Sequence, residues 1–189
     1  MKKIVFVLCL AGLMSAVSCD KMNDSLSEAE ASRFVDSLMT GFRNGTLSHV
    51  HCPDVRWEHI PALLEYGKST EMIGKDPESG DFPMMAIPSS PISSFLMTQC
   101  LEGTFALWMV EAARIHTLSK RDGDLMGWPS QNPFVQRLNG ENVSPSWYVN
   151  SLEVHKAVLE AYQQWWASSR GRKSAASIDP LEGTGYAWH

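Results

Sequence analysis

The chain has 189 residues, of which 44% are hydrophobic, and its 16 lysines and arginines stand against 21 aspartates and glutamates, a formal net charge of −5. This composition is sufficient for one domain with a real core. The acidic balance argues against a nucleic-acid partner, because such partners are bound through an excess of positive charge.

Residues 1–18 have the pattern of a cleavable export signal. Lys2 and Lys3 give a positive start, and residues 4–17 are apolar but too short to span a bilayer as a stable helix. The segment resembles the signal peptides of bacterial lipoproteins, in which cleavage falls before a cysteine that receives acyl chains such as palmitate. The cleavage box is a loose one, Ala16-Val17-Ser18-Cys19. We expect lipidation at Cys19; the alternative is an ordinary secreted protein.

Removal of the signal leaves 14 basic and 21 acidic residues, a formal charge of −7. Acyl chains contribute about 0.8 kcal/mol per buried methylene, so a triacylated Cys19 holds the protein at a membrane surface rather than across it. No later segment is apolar enough to span. We therefore expect an envelope lipoprotein of the outer membrane, on its periplasmic or its outer face.

The first half of the mature chain predicts a tether and two helices. Residues 19–26 are a short polar tether, and Ser27 and Glu30 have capping-box spacing before an amphipathic helix that stops near Asn44. A second, shorter helix has Pro61 in its first turn and stops at Gly67. Residues 74–91 hold four prolines and predict an ordered loop.

The second half predicts two further helices. Pro91, capped by Ser90, opens a helix that runs to Leu118 and is apolar on nearly every side, so it belongs in the middle of the domain. Residues 120–145 read as an irregular connection. The last helix starts near Asn150 and ends around Gly171, and the tail that follows has too little periodicity for a prediction.

No alternating strand pattern extends beyond a few residues. The expected fold class is therefore all-α: a single domain over residues 27–189, built as a compact bundle of four main helices with two long connections that contain proline and glycine. A short HEAT-like helical array is the alternative, because residues 60–66 resemble the first helix of such repeats.

Several segments together with the export signal suggest a known family. They are IPALLEY at 60–66, PSSPISS at 88–94, LWMVEAAR at 107–114 and AYQQWW at 161–166. The chain resembles a family of small lipoproteins from Bacteroidota that is classed as a domain of unknown function. The resemblance implies a helical fold and an envelope location, and it implies no activity.

The cysteines could pair as a disulfide, and one of them lies among histidines that offer a candidate metal site. Cys9 is lost with the signal and Cys19 is the lipid site, which leaves Cys52 and Cys100. They form either a disulfide or, in the favoured interpretation, two thiols with Cys100 buried in a helix. Five residues of metal-ligand type lie close together, but their spacing matches no closed zinc site, so we expect a solvated polar loop and no metal. They are His49, His51, Cys52, Asp54 and His59.

No catalytic motif is present. Residues 67–70 read GKST, like the end of a phosphate-binding loop, but Ala62 occupies the required glycine position and the segment follows a helix. Nucleophile-elbow, zinc-protease and dinucleotide signatures are also missing. Glu111 on the central helix could act as an acid or base, but an ion pair with Arg114 is the simpler interpretation. We assign no catalytic residue and no cofactor.

The tryptophans divide into two groups. Trp57, Trp108 and Trp165 fall on apolar helix faces and are expected to fill the core. Aromatic rings in or beside irregular segments could stack on sugar rings, or could instead pin long loops onto the helices. The proposed ligand surface consists of Trp128, Trp147, Tyr148 and Trp166.

Three functions follow from these observations. The first is a non-enzymatic, membrane-anchored module that binds a partner protein or another envelope component. The second is a glycan- or small-ligand-binding lipoprotein that uses loop aromatics. The third is an enzyme centred on Glu111, which requires a pocket that joins Glu111 to the histidine-rich loop.

Overall fold

The computed structural model describes residues 26–48, 51–74, 87–90, 98–119, 127–138 and 151–189, together with the backbone of 145–148. The helices are α1 (Glu28–Arg43), α2 (Ile60–Tyr66), α3 (Glu102–Leu118) and α4 (Leu152–Ser169), with 3₁₀ turns at Trp57–His59 and Lys173–Ser177. The strands are β1 (Met72–Gly74), β2 (Gln99–Leu101), β3 (Val135–Leu138), β4 (Pro145–Tyr148) and β5 (Tyr186–Trp188). No helix of the described part is long and apolar enough to cross a bilayer.

The described chain is mostly helical and has four α-helices, as predicted, and it also contains short strands that were not predicted. Two small antiparallel sheets are present, one with the order β1-β2 and one with the order β4-β3-β5. Each strand has only three or four residues. Strands of this length give no recognisable alternating pattern, because that signal needs four to eight residues.

Helices α1 and α2 begin and end as predicted. Ser27 Oγ accepts a hydrogen bond from the backbone N–H of Glu30, whose carboxylate accepts one from Ser27 N–H at 3.0 Å. These two bonds satisfy N–H groups that have no partner within the first turn. In α2, Pro61 occupies the first turn and Gly67 caps the end.

The central helix starts later than predicted. Residues 99–101 form β2, and α3 begins at Glu102, whose N–H donates to the carbonyl of Glu71 at 2.8 Å. Ser90 therefore does not cap this helix, while Pro91 lies outside the described residues. The prediction of its place is confirmed, because every residue from Glu102 to Arg114 is buried. Cys100 is buried as expected, but in β2 rather than in a helix.

Helix α4 is capped by Ser151, whose Oγ accepts from Val154 N–H at 3.2 Å; Asn150, the predicted start, lies outside the described residues. Helices α3 and α4 run in the same direction. Thr104 faces His155 and, seven residues further along both helices, Glu111 faces Tyr162. The tail adds the second 3₁₀ turn and β5, which pairs with β3.

Candidate ligand groove

An open groove of about 280 Å³ lies where the first 3₁₀ turn, the end of α3 and the second 3₁₀ turn meet. Its lining combines one indole, one imidazole, one hydroxyl and charged groups of both signs. The lining residues are Val55, Arg56, Trp57, Glu58, His116, Thr117 and Lys173.

Trp57 is held firmly on one side of the groove. Its indole N–H donates to the carbonyl of Gly171 at 2.7 Å. Its ring meets Trp165 edge-on at a centroid distance of 5.5 Å and Trp166 at 5.2 Å. Only 4% of Trp57 remains exposed, so it offers an edge rather than an open face. The end of α4 and the groove are therefore one rigid unit.

His116 joins the end of α3 to two loops. Its Nδ1 lies 3.2 Å from the carbonyl oxygen of Val55, and its Nε2 lies 3.1 Å from that of Gly127. The position of the proton decides which nitrogen donates. Through these contacts the half-buried imidazole fixes the backbone at Val55, which lines the groove, and the backbone directly before Trp128.

Ion pairs occupy the rim of the groove. Lys173 Nζ lies 2.7 Å from a carboxylate oxygen of Glu58, and Arg56 lies 2.7 Å from Asp54. Burial alone would raise the pKa of Glu58, but its hydrogen bond and charge interaction with Lys173 help to outweigh that effect, and the pKa lies below its ordinary value. The carboxylate of Glu58 is therefore ionised at neutral pH.

The structure describes the side chains of two of the four residues of the predicted ligand surface. Trp128 is half-buried and stacks on buried Trp108 at 4.8 Å, and Trp166 is half-buried against Trp57. Trp147 and Tyr148 lie in β4, opposite Arg137 and Gln136, and their side chains are outside the described part. Trp166 thus touches a groove residue, and Trp128 follows Gly127, which is in contact with His116.

Glu111 lies in a buried network with only protein partners. Arg114 contacts both of its carboxylate oxygens, at 2.9 and 2.6 Å, and Tyr162 donates to it at 2.7 Å. Arg114 also donates to the carbonyl of Ala176, and the indole N–H of Trp188 donates to the phenol of Tyr162. The predicted ion pair is therefore present, and Glu111 is 6% exposed.

The described side chains of the histidine-rich loop do not converge on one site. His59 is buried, accepts from Arg56 N–H at 2.9 Å and stacks on Phe34 at 4.2 Å, whereas His51 is exposed. Within the described ranges no three side chains of histidine, cysteine, aspartate or glutamate form a group that could hold a metal ion. His49 lies outside those ranges. Cys52 and Cys100 are both buried and unpaired with each other.

Sequence reasoning did not find most of the groove. His116, Thr117 and Lys173 come from the end of a helix and from a tail without periodicity, and no motif links them to residues 55–58. The one available signal was the run of basic residues Arg170, Arg172 and Lys173 close to Trp166.

Comparison with known proteins gives a family and no activity. No curated protein and no solved structure is detectably similar to the chain. A family model described as a domain of unknown function, DUF4943, matches residues 25–189, which is most of the chain. The chain therefore belongs to the DUF4943 family, a domain of unknown function.

Proposed function

We propose that this protein is a lipid-anchored, non-enzymatic binding module of the cell envelope, related to the lipoproteins of Bacteroidota and held at the outer membrane through Cys19. Its ligand enters the groove between residues 55–58, the end of α3 and Lys173, and is another envelope component. The single observation that carries this proposal is the groove itself, in which an indole edge, an imidazole and a hydroxyl lie between charged side chains.

The anchor is supported by the residues before the fold. The first described helix begins at Glu28, only nine positions after Cys19, so a short tether would join the acylated residue to α1. An extended residue spans at most about 3.6 Å, so the start of α1 would lie within roughly 30 Å of the membrane surface. A domain held that close binds ligands that belong to the membrane or lie next to it.

The enzyme hypothesis has less support than binding. A catalytic acid or base must reach the substrate, yet the carboxylate of Glu111 is buried and already contacts Arg114 and Tyr162. None of these contacts involves the histidine-rich loop. The network instead ties α3 to α4, to the second 3₁₀ turn and to β5.

Glycan binding is the second candidate function. Trp166 is half-buried and touches Trp57, and a partly exposed indole gives a flat apolar face on which a sugar ring can stack. Thr117 Oγ1 donates to the carbonyl oxygen of Ala113 at 2.8 Å and can accept a hydrogen bond from a sugar hydroxyl. This candidate differs from the first only in the chemistry of the ligand.

The anchor and the groove are tested separately. Mass spectrometry of the exported protein should find acyl chains on Cys19, and Cys19→Ser should release the protein from the membrane fraction; an unmodified amino terminus removes the anchor. For the groove, intrinsic tryptophan fluorescence is followed during titration with an oligosaccharide panel and with envelope extracts. Thr117→Trp, which fills the groove, should abolish any response, and an unaltered response contradicts the assignment.

A further inference from the structure

Four cations gather at the groove of an acidic protein. Arg56, Arg170, Arg172 and Lys173 are four of the chain's 16 lysines and arginines, and all four are exposed. Arg56 and Lys173 line the groove, while Arg170 and Arg172 flank Gly171, whose carbonyl accepts from Trp57 of the same groove. We call these four residues the basic rim.

Arg170 has a backbone conformation that is unfavourable for arginine. It caps the end of α4 in the left-handed region, at φ 50° and ψ 37°, and is the one non-glycine with positive φ among the described residues. Glycine is usual at this position, because a Cβ is strained there. Backbone strain of this kind is concentrated at functional sites, which points to a role for the side chain of Arg170.

The cations of the basic rim can exchange partners readily. Lys173 pairs with Glu58 and Arg56 with Asp54, and the side chains of Lys173 and Arg56 are 61% and 54% exposed. The pair of Arg56 and Asp54 is exposed on both sides and contributes little to stability, whereas the carboxylate of Glu58 is 22% exposed. Arg172 Nε donates to the carbonyl oxygen of Ser169 at 3.1 Å, a neutral partner, so this contact leaves the positive charge of Arg172 in place.

We propose that the basic rim binds a phosphate group on the ligand that enters the groove. This inference rests on the proposed function and specifies its ligand class. Three of the four cations are arginines, whose planar guanidinium donates paired hydrogen bonds to phosphate oxygens. The indole edge of Trp57 and the hydroxyl of Thr117 then contact the remainder of the molecule. A sugar phosphate and a phospholipid headgroup both carry this chemistry.

The test uses the processed chain with Cys19→Ser, so that acyl chains do not cause vesicle binding. It is titrated with glucose 1-phosphate, and with phosphatidylcholine vesicles that do or do not contain phosphatidylglycerol. Binding of the soluble ester identifies a saccharide source, and binding only of the phosphatidylglycerol vesicles identifies a headgroup. A chain that binds neither probe overturns the inference.

Charge variants show where the probe binds. Lys173→Ser, which removes one cation of the basic rim, should weaken binding by about fivefold. Lys156→Ser is the matched control, because Lys156 is an exposed cation of α4 roughly 21 Å from Arg170 along the helix axis. Equal weakening by both variants indicates a general charge effect and contradicts a site at the rim.

Arg170→Gly separates binding from folding. Relief of the left-handed strain should raise the unfolding temperature, while loss of the guanidinium should weaken binding of the phosphate probe. An Arg170 with only a structural role would leave the affinity unchanged, which contradicts the inference for this residue. If an uncharged oligosaccharide binds the groove and the rim variants bind it equally well, the proposed function stands and the phosphate inference fails.

Discussion

The phenol of Tyr162 on α4 donates a 2.7 Å hydrogen bond to the carboxylate of Glu111 on α3. Burial raises the pKa of Tyr162 well above its ordinary value, and the charge of Glu111 acts in the same direction. The phenol therefore stays protonated and remains a donor. Burial would lower the pKa of Arg114, but Glu111 outweighs it, so this guanidinium stays charged as well. The hydrogen bond between Tyr162 and Glu111 therefore joins two parallel helices through a carboxylate that has partners at both oxygens.

Removal of Glu111 should be far more damaging than removal of an exposed carboxylate. Glu111→Ala leaves the buried cation of Arg114 without its partner and should cost about 3–5 kcal/mol of unfolding free energy. Tyr162→Phe removes one hydrogen bond to a charged group and should cost about 1.5–3 kcal/mol. Urea denaturation measures both changes.

The matched control for this prediction is Glu65→Ala. Glu65 on α2 also pairs with a cation three residues later, Lys68, which lies just beyond the helix, but the side chain of Glu65 is 72% exposed. Exposed pairs contribute little, so the variant should unfold almost as the wild type does. If Glu111→Ala and Glu65→Ala have equal effects, the buried network does not contribute to stability in the way described.

Gly103 should tolerate no side chain. A Cβ at this position would lie 2.6 Å from the carbonyl oxygen of Gly67 and 2.6 Å from the ring of His155. The loop after α2 therefore packs directly on the backbone of α3, and Gly103→Ala should destabilise the fold by about 1–3 kcal/mol. Gly127→Ala is the control, since a Cβ there meets no atom within 4 Å. Thermal unfolding measures the melting temperatures of both variants. Similar values would contradict the close packing at Gly103.

The helices could be predicted from short sequence patterns, whereas the pairing of strands that lie far apart in the chain could not. The capping box of Ser27 and Glu30 is complete within four residues, so α1 could be read directly. The start of α3 could not be predicted in this way, because β2 pairs with β1 and interrupts the apolar run that begins at Pro91. Pairing over that distance depends on tertiary contacts that no short window contains.

The candidate site was less predictable than the fold. Net charge averages over the whole chain, so an overall value of −5 concealed the concentration of cations around Arg170. Tryptophan positions indicated the region only in part: Trp166 does touch the groove, but the groove is completed by His116 and Lys173, which come from distant segments. Glu111 was predictable, because its partner Arg114 lies on the same helix face.

The two cysteines should be unreactive in the folded protein. Both are buried, and burial raises the pKa of Cys52 to about 12 and that of Cys100 further above its ordinary value. At pH 8 a thiol with a pKa near 12 is ionised in only about one molecule in ten thousand. Ellman's reagent should find no thiol in the native processed chain, which lacks residues 1–18 and carries Cys19→Ser, and two after denaturation. An added exposed thiol, Ser177→Cys, should react at once. Rapid native reaction at Cys52, or a missing thiol after denaturation, contradicts the structure.

Stability should fall as the pH is lowered from about 7 to 5. Burial lowers the pKa of His59 and of His155 below the ordinary value of 6.5, although a hydrogen bond with the backbone of Gly67 opposes this at His155. Below pH 6.5 the unfolded chain therefore binds protons that these folded imidazoles still exclude. The unfolding free energy should lose up to about 1.4 kcal/mol per pH unit for each histidine, and stay level above pH 7.5 as far as histidines are concerned.

Replacement of His155 tests the origin of that slope. The imidazole of His155 lies 3.1 Å from the hydroxyl of Thr104 at the start of α3, so His155→Gln keeps a hydrogen-bonding group next to the threonine but cannot titrate. Urea denaturation between pH 5 and 8 should give a smaller slope for the variant than for the wild type, even if the variant is less stable throughout. The lowered pKa of Glu58 contributes equally to the wild type and to the variant, so it cancels in this comparison. An unchanged slope would assign the acid sensitivity to other groups, and a wild type that gains stability toward pH 5 would show that the buried imidazoles are charged in the fold.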